Sequence, residues 1–233
     1  MKRKRFCKSI GLFIILLLTG CSQSKTEEVF YQTSPLTIFE DGFGLSAEEF
    51  FSLFPAEGYQ DWEQTRETEH LIYPPYTEYL APEQIEFAGY PCQIWLRFYD
   101  DYGLGNYRLV YNTEDTGDEL DIDSYYQMLT DFYLAVSDLF GNIDENVSWR
   151  ECQTAEQLQE YFDNGGGDTK TTGPMRSVSA TWPLSNHLHG DPYSQNVYLS
   201  SMIDWPVTGT IIKFQIDRDT SSLRVSEQDS RYA

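Results

Sequence analysis

Between Cys92 and Phe140 the spacing of apolar residues switches from two to between three and four, and that switch decides which fold classes remain open. In residues 92–100, Cys92, Ile94, Leu96 and Phe98 alternate with Gln93, Trp95, Arg97 and Tyr99. In 106–112, Tyr107, Leu109 and Tyr111 alternate with Arg108, Val110 and Asn112. Period-two alternation rich in β-branched and aromatic residues predicts strands, and Gly103-Leu104-Gly105-Asn106 between them predicts the hairpin turn. From Asp123 to Phe140 the apolar positions Tyr125 or Tyr126, Leu129, Phe132 or Tyr133, Val136, Leu139 and Phe140 recur at helical steps. Asp121 or Asp123 supplies the cap of that helix, and Gly141 its stop.

Two shorter helices announce themselves by their caps. Ser46-Ala47-Glu48-Glu49 fits a capping box ahead of Phe50, Phe51, Leu53 and Phe54, with Pro55 as terminator, and Thr154-Ala155-Glu156-Gln157 opens a helix through Leu158, Tyr161 and Phe162 that Gly165-Gly166-Gly167 ends. Further strands are expected over Gln84–Ala88, Ser177–Trp182, Asn196–Ile203 and Thr210–Ile216, the last after a turn at Pro206–Gly209.

Strands grouped in threes, with helices between the groups, predict an α+β domain: an antiparallel sheet with helices packed on one face. The order short helix, three strands, long helix, short helix, three strands also suggests two related halves, 36–141 and 142–217. In element order the chain resembles the small helix-plus-antiparallel-sheet modules of bacterial envelope lipoproteins and the secreted β-lactamase inhibitor protein. That resemblance is one of topology and transfers no functional residue.

The first 20 residues carry a different message. Lys2, Arg3, Lys4, Arg5 and Lys8 precede an apolar stretch from Ile10 to Leu18, too short to span a bilayer as a helix, and Leu18-Thr19-Gly20-Cys21 follows. This order resembles a bacterial lipoprotein export signal with its lipobox, which implies that Cys21 is lipidated and becomes the first mature residue. The expected organisation is signal peptide 1–20, lipidated cysteine and polar tether 21–35, one domain 36–217, and polar tail 218–233. The expected location is the extracytoplasmic face of a cell membrane, held there by lipid.

Without the first 20 residues, 11 Lys and Arg face 37 Asp and Glu, a net charge of −26. Such a surface repels phosphate backbones, so nucleic acid is excluded as a partner, and any charged partner should be basic. Cys92 and Cys152 remain after Cys21. Cys92 shares its strand face with Ile94, Leu96 and Phe98, so both are expected as buried free thiols rather than a disulfide.

Catalytic and metal signatures are sparse. His187-Leu188-His189-Gly190-Asp191 is the one histidine-rich run, and His187, His189 and Asp191 are the metal candidates. With no HExxH and no paired cysteines to complete a coordination shell, the run reads as a polar loop. Glu114, Asp115, Asp118, Glu119, Asp121 and Asp123 match no calcium-loop spacing and suit the approach to a helix N-terminus. There is no GxSxG, Ser22-Gln23-Ser24-Lys25 matches SxxK only within the tether, and Gly165–Gly167 lacks the residues of a phosphate loop. No cofactor is expected.

Aromatic residues are the remaining signal. Trp95 and Tyr99 alternate away from Ile94 and Phe98, and Tyr73, Tyr76 and Tyr79 lie in an irregular Tyr/Pro stretch with Pro74 and Pro75. The preferred reading folds Tyr73–Tyr79 back as a lid over Trp95. The sharper one makes Trp95, Tyr99, Tyr73, Tyr76 and Tyr79 a binding face. The expectation is therefore a non-enzymatic, lipid-anchored interaction protein of the bacterial envelope that engages a protein or glycan. A carbohydrate or small-ligand binder comes second, and a weak hydrolase third.

Overall fold

The computed structural model describes residues 29–68, 74–112, 121–143, 146–167, 175–183, 196–204 and 213–218. The chain begins with α1 (Val29–Gln32) and α2 (Pro35–Thr37), the latter widening into a π-turn at Ile38–Gly42, and continues with α3 (Ala47–Leu53). Four strands follow: β1 (Glu63–Glu67), β2 (Tyr76–Phe87), β3 (Tyr90–Tyr99) and β4 (Gly103–Asn112). Helices α4 (Ile122–Phe140) and α5 (Ala155–Asp163) then lead to β5 (Met175–Pro183), β6 (Asn196–Asp204) and β7 (Lys213–Arg218). All seven strands form one sheet in the order β1-β2-β3-β4-β7-β6-β5, with every neighbouring pair antiparallel. The fold is α+β.

The cap chemistry behaves as its residue types dictate. Glu49 N–H donates to Ser46 Oγ at 3.3 Å and Ser46 N–H to Glu49 Oε2 at 2.9 Å, closing a full capping box on α3. Asp121 caps α4 by accepting from Ser124 N–H at 2.8 Å, and Gly141 ends the helix at φ 87°. On α5, Thr154 accepts from Gln157 N–H, but the Gln157 carbonyl reaches one residue further back, to Gln153 N–H.

Helices lie against one face of the sheet. Phe50 of α3 meets Phe98 of β3 at 5.6 Å between ring centroids, Phe132 of α4 stacks on Tyr90 at 5.4 Å, and Tyr125 donates its hydroxyl hydrogen to Ser201 of β6 at 2.9 Å. The registers put Cys92, Ile94, Leu96, Phe98, Tyr107, Leu109, Tyr111, Val178, Ala180, Leu199 and Ser201 on that same face, and all are buried. Because α4 packs on strands of both halves, 36–141 and 142–217 share one core, and they contribute four and three strands rather than three each.

Four other sequence expectations change. The folded body takes in the end of the expected tether 21–35: Phe30 is 1 % exposed and packs on Phe50, Phe51 and Trp62. Tyr76–Tyr79 forms no lid, because β2 starts at Tyr76 and pairs with β3 over its whole length apart from a bulge between Leu80 and Gln84. Strand β1, all polar, was not expected. Finally, the β3–β4 turn is formed by Asp100, Asp101 and Tyr102, while 103–106 belong to β4.

The glycines of 103–106 serve close backbone approach. Gly103 sits at φ +85° with the Leu45 carbonyl 2.4 Å from where a Cβ would be, and Leu104 N–H donates to that carbonyl at 2.8 Å. A Cβ on Gly105, at the β3–β4 bulge, would come within 2.6 Å of the Tyr99 ring. Among the described residues no helix is long and apolar enough to cross a membrane.

Candidate functional site: the uncovered face of β1–β4

Strand alternation sends every second side chain of β2, β3 and β4 away from the helices. The registers align them in three rows: Tyr76 opposite Tyr99; Glu78, Arg97 and Asn106; and Leu80, Trp95 and Arg108. Among the described residues no helix covers these rows, and their members are tied to one another.

Glu78 is the hub. Its Oε2 accepts from Arg97 Nη2 at 2.9 Å and Nε at 3.1 Å, and also from Arg108 Nη2. All three side chains are largely withdrawn from water, at 13 % exposure for Glu78 and 16 % for each arginine. Each guanidinium also meets an aromatic ring. Arg97 Cζ lies 4.2 Å from the Tyr76 centroid, and Arg108 Cζ lies 5.9 Å from that of Trp95. Arg108 Nε donates to Asn106 Oδ1 at 2.6 Å. Two guanidiniums around one carboxylate give the Arg97–Glu78–Arg108 triad a net charge of +1 in a strongly acidic chain, and charge-assisted bonds hold the side chains in defined positions. Beside the patch, Gln93 donates to the Ala81 carbonyl, satisfying backbone that the β2 bulge leaves outside the ladder.

The sequence-predicted face is only partly assembled. Tyr76 and Trp95 stand half-buried on the uncovered side. Tyr99 shares that side but is 2 % exposed, wedged over Gly105 and edge-on to Tyr76, so it packs rather than presents. Tyr79 points the other way. It pairs across from Leu96 and its ring meets Phe98 at 5.5 Å and Phe51 at 6.1 Å; burial, ahead of its neighbour Tyr59, raises its hydroxyl pKa. Tyr73 lies outside the described residues, as do Cys21, the lipobox, His187, His189 and Asp191. Among the described residues no three His, Cys, Asp or Glu side chains gather as a metal site.

Sequence reasoning missed Glu78, Arg97 and Arg108. The two arginines share the alternation phase of Trp95 and its row, a signal present in the sequence, whereas the place of Glu78 depends on a strand hidden by Pro74, Pro75 and Pro82.

Cys92 and Cys152 are both free and buried, and burial pushes the Cys92 thiol up to about 12. At the β3–β4 turn, on the helix side of the sheet, a cavity of about 410 Å³ opens between the start of α3 and residues Asp100–Gly103. Comparison with family models, curated proteins and solved structures gave no match.

Proposed function

We propose that this chain is a lipid-anchored, extracytoplasmic binding protein of the bacterial cell envelope, and that it engages a protein partner through the uncovered face of β2–β4. The observation that carries this reading is the Tyr76–Arg97–Glu78–Arg108–Trp95 network on a sheet face that none of the described helices covers. Tyr, Trp and Arg are the residue types that anchor protein interfaces, and here they are held in place before any partner arrives, which lowers the ordering cost of association. The anchoring half of the proposal rests on the resemblance of Leu18–Cys21 to a lipobox.

A protein partner suits the face better than a sugar does. Stacking on a sugar ring needs an open aromatic face, and Arg97 already lies over one face of Tyr76 while Tyr99 meets its edge. The remaining rim is flat and polar, with Thr65 of β1 beside Glu78 and Glu67 beside Tyr76.

Two experiments test the two halves. Replacing Cys21 by Ser should leave the protein unlipidated, moving it to the aqueous phase in detergent partition or arresting it as precursor; unchanged partition and migration would remove the anchor from the proposal. A photo-crosslinking residue at position 95, compared with one at Leu134, which is 52 % exposed on α4, should give discrete adducts in intact envelopes that Arg97→Ala abolishes. Identical products from both positions, or none from position 95, would contradict a binding role for this face.

A further inference from the structure

The cavity at the β3–β4 turn lies on the opposite side of the sheet from the face discussed above, and it makes a separate statement about ligand chemistry. Tyr79, Phe98 and Tyr102 wall it, and Glu49, Asp100 and Asp101 stand at its polar side. Its volume of about 410 Å³ falls within the size range of small-ligand pockets. The walls are fixed by packing: Phe98 is wedged against Phe50 and Tyr79, and the floor is pinned where Leu104 N–H bonds the Leu45 carbonyl and Gly44 N–H the Leu104 carbonyl.

The charge in this space is unbalanced. Asp100 is matched by Arg66, whose guanidinium bonds both carboxylate oxygens at 2.6 and 2.5 Å and also donates to Thr77 Oγ1 at 2.8 Å. Glu49 is turned to Ser46 in the capping box. Asp101 has no ion pair among the described residues and stands exposed at the rim. Aromatic walls with uncompensated carboxylate at the mouth select one ligand chemistry, a cation with an apolar or ring-shaped body.

We infer that this cavity is a binding site for an organic ammonium ion, the amine stationed at Asp101 and the ligand body lying against Tyr79, Phe98 and Tyr102. Two sources share that chemistry: a lysine side chain of a basic protein, and an amino sugar.

The test is isothermal titration calorimetry of the full chain in detergent micelles with Nα-acetyl-lysine amide and with glucosamine, each beside its neutral amine-acetylated form. Saturable binding of either charged probe is expected, with the neutral form weaker by about ten-fold or more, because only the charged form gains the carboxylate contact. Which probe binds identifies the source. Asp101→Asn, at an exposed position, should leave the melting temperature unchanged and weaken the charged probe about five-fold or more, toward its neutral form. Ala47→Phe, which fills the cavity from the start of α3, should abolish binding in a protein that still melts cooperatively. Absence of saturable binding by both charged probes overturns the inference, as do equal affinities for charged and neutral forms or binding that survives both substitutions.

Discussion

The two faces of strand β3 divide the molecule into regions of different physics. Toward the helices, Cys92, Ile94, Leu96 and Phe98 are 0, 1, 0 and 6 % exposed and belong to the buried hydrophobic cluster. Toward the other side, Gln93, Trp95 and Arg97 keep partial contact with water; Gln93 is held by the Ala81 carbonyl, and Trp95 and Arg97 by an ion triad and two arginine–aromatic pairs. The first face gains its stability from burial, about 1.5–3 kcal/mol for each large side chain, and it tolerates change poorly because interiors are close-packed. The second is held mainly by polar and arginine–aromatic contacts, with Tyr99 and Asn106 buried among them. Such a surface is organised without being used up, and that difference locates the proposed binding role on the second face.

The covered face should give the largest effect when broken. Phe132→Ala removes a ring that meets Tyr90, Tyr111 and Phe87, and should cost about 3–5 kcal/mol in denaturant unfolding. A loss below about 1 kcal/mol would mean that α4 is not part of the common core.

Next is Glu78→Gln, which leaves two largely buried guanidiniums facing each other. Outright burial would make breaking such a pair cost 3–5 kcal/mol; the residual exposure of 13–16 % and solvent screening reduce this to about 1–3 kcal/mol, smaller at high salt. Salt-independent unfolding of the variant would contradict the triad.

Trp95→Ala sharpens the contrast further. A Trp sealed under a lid would behave like Phe132, whereas the half-buried Trp95 on the uncovered face should cost about 1–2 kcal/mol, measured by thermal unfolding.

The legible and illegible parts of the sequence follow the same division. Strands β3 and β4 and helix α4 show plainly because one side of each enters the core and the other does not, which is what hydrophobic periodicity reports. Strand β2 was cut short because Pro82 sits inside it, at the bulge between Leu80 and Gln84 where the ladder is already interrupted, and Pro74 and Pro75 precede its first residue. Strand β1, Glu-Gln-Thr-Arg-Glu, is an edge strand whose charges discourage pairing with another chain, so it carries no apolar alternation to read. Phe30 lies in a three-residue run, Val29-Phe30-Tyr31, too short to show a period within a polar stretch, and its burial depends on α3 and Trp62, far along the chain. The proposed binding face becomes visible only through the register. Nothing short of the β2–β3–β4 pairing brings Glu78, Arg97 and Arg108 together.

The smallest effect belongs to the caps. Ser46→Ala should cost about 1 kcal/mol by opening the α3 capping box. The same box sets a pH dependence: bonds from Ser46 hold the Glu49 carboxyl below its ordinary 4.5, and bonds at Ser124 hold Asp121 below 3.8. Lowered carboxyl pKa values contribute stability that is present above those ordinary values and is lost as pH falls through the folded-state ones. Unfolding followed from neutral pH to about pH 3 should show that loss, shallower in Ser46→Ala; equal slopes would separate the box from the acid response.

The central claim, that the uncovered face meets a partner while the covered face only holds the fold, is tested most directly by ¹⁹F NMR of the 5-fluorotryptophan-labelled full chain in detergent micelles. Trp95 stands on the uncovered face, whereas Trp62, Trp149 and Trp182 are 7, 6 and 1 % exposed. On titration with solubilised envelope components, the account predicts that the Trp95 resonance shifts or broadens while those of Trp62, Trp149 and Trp182 stay in place. A Trp95 resonance that remains unmoved, or one that moves only together with the three buried indoles, would contradict it.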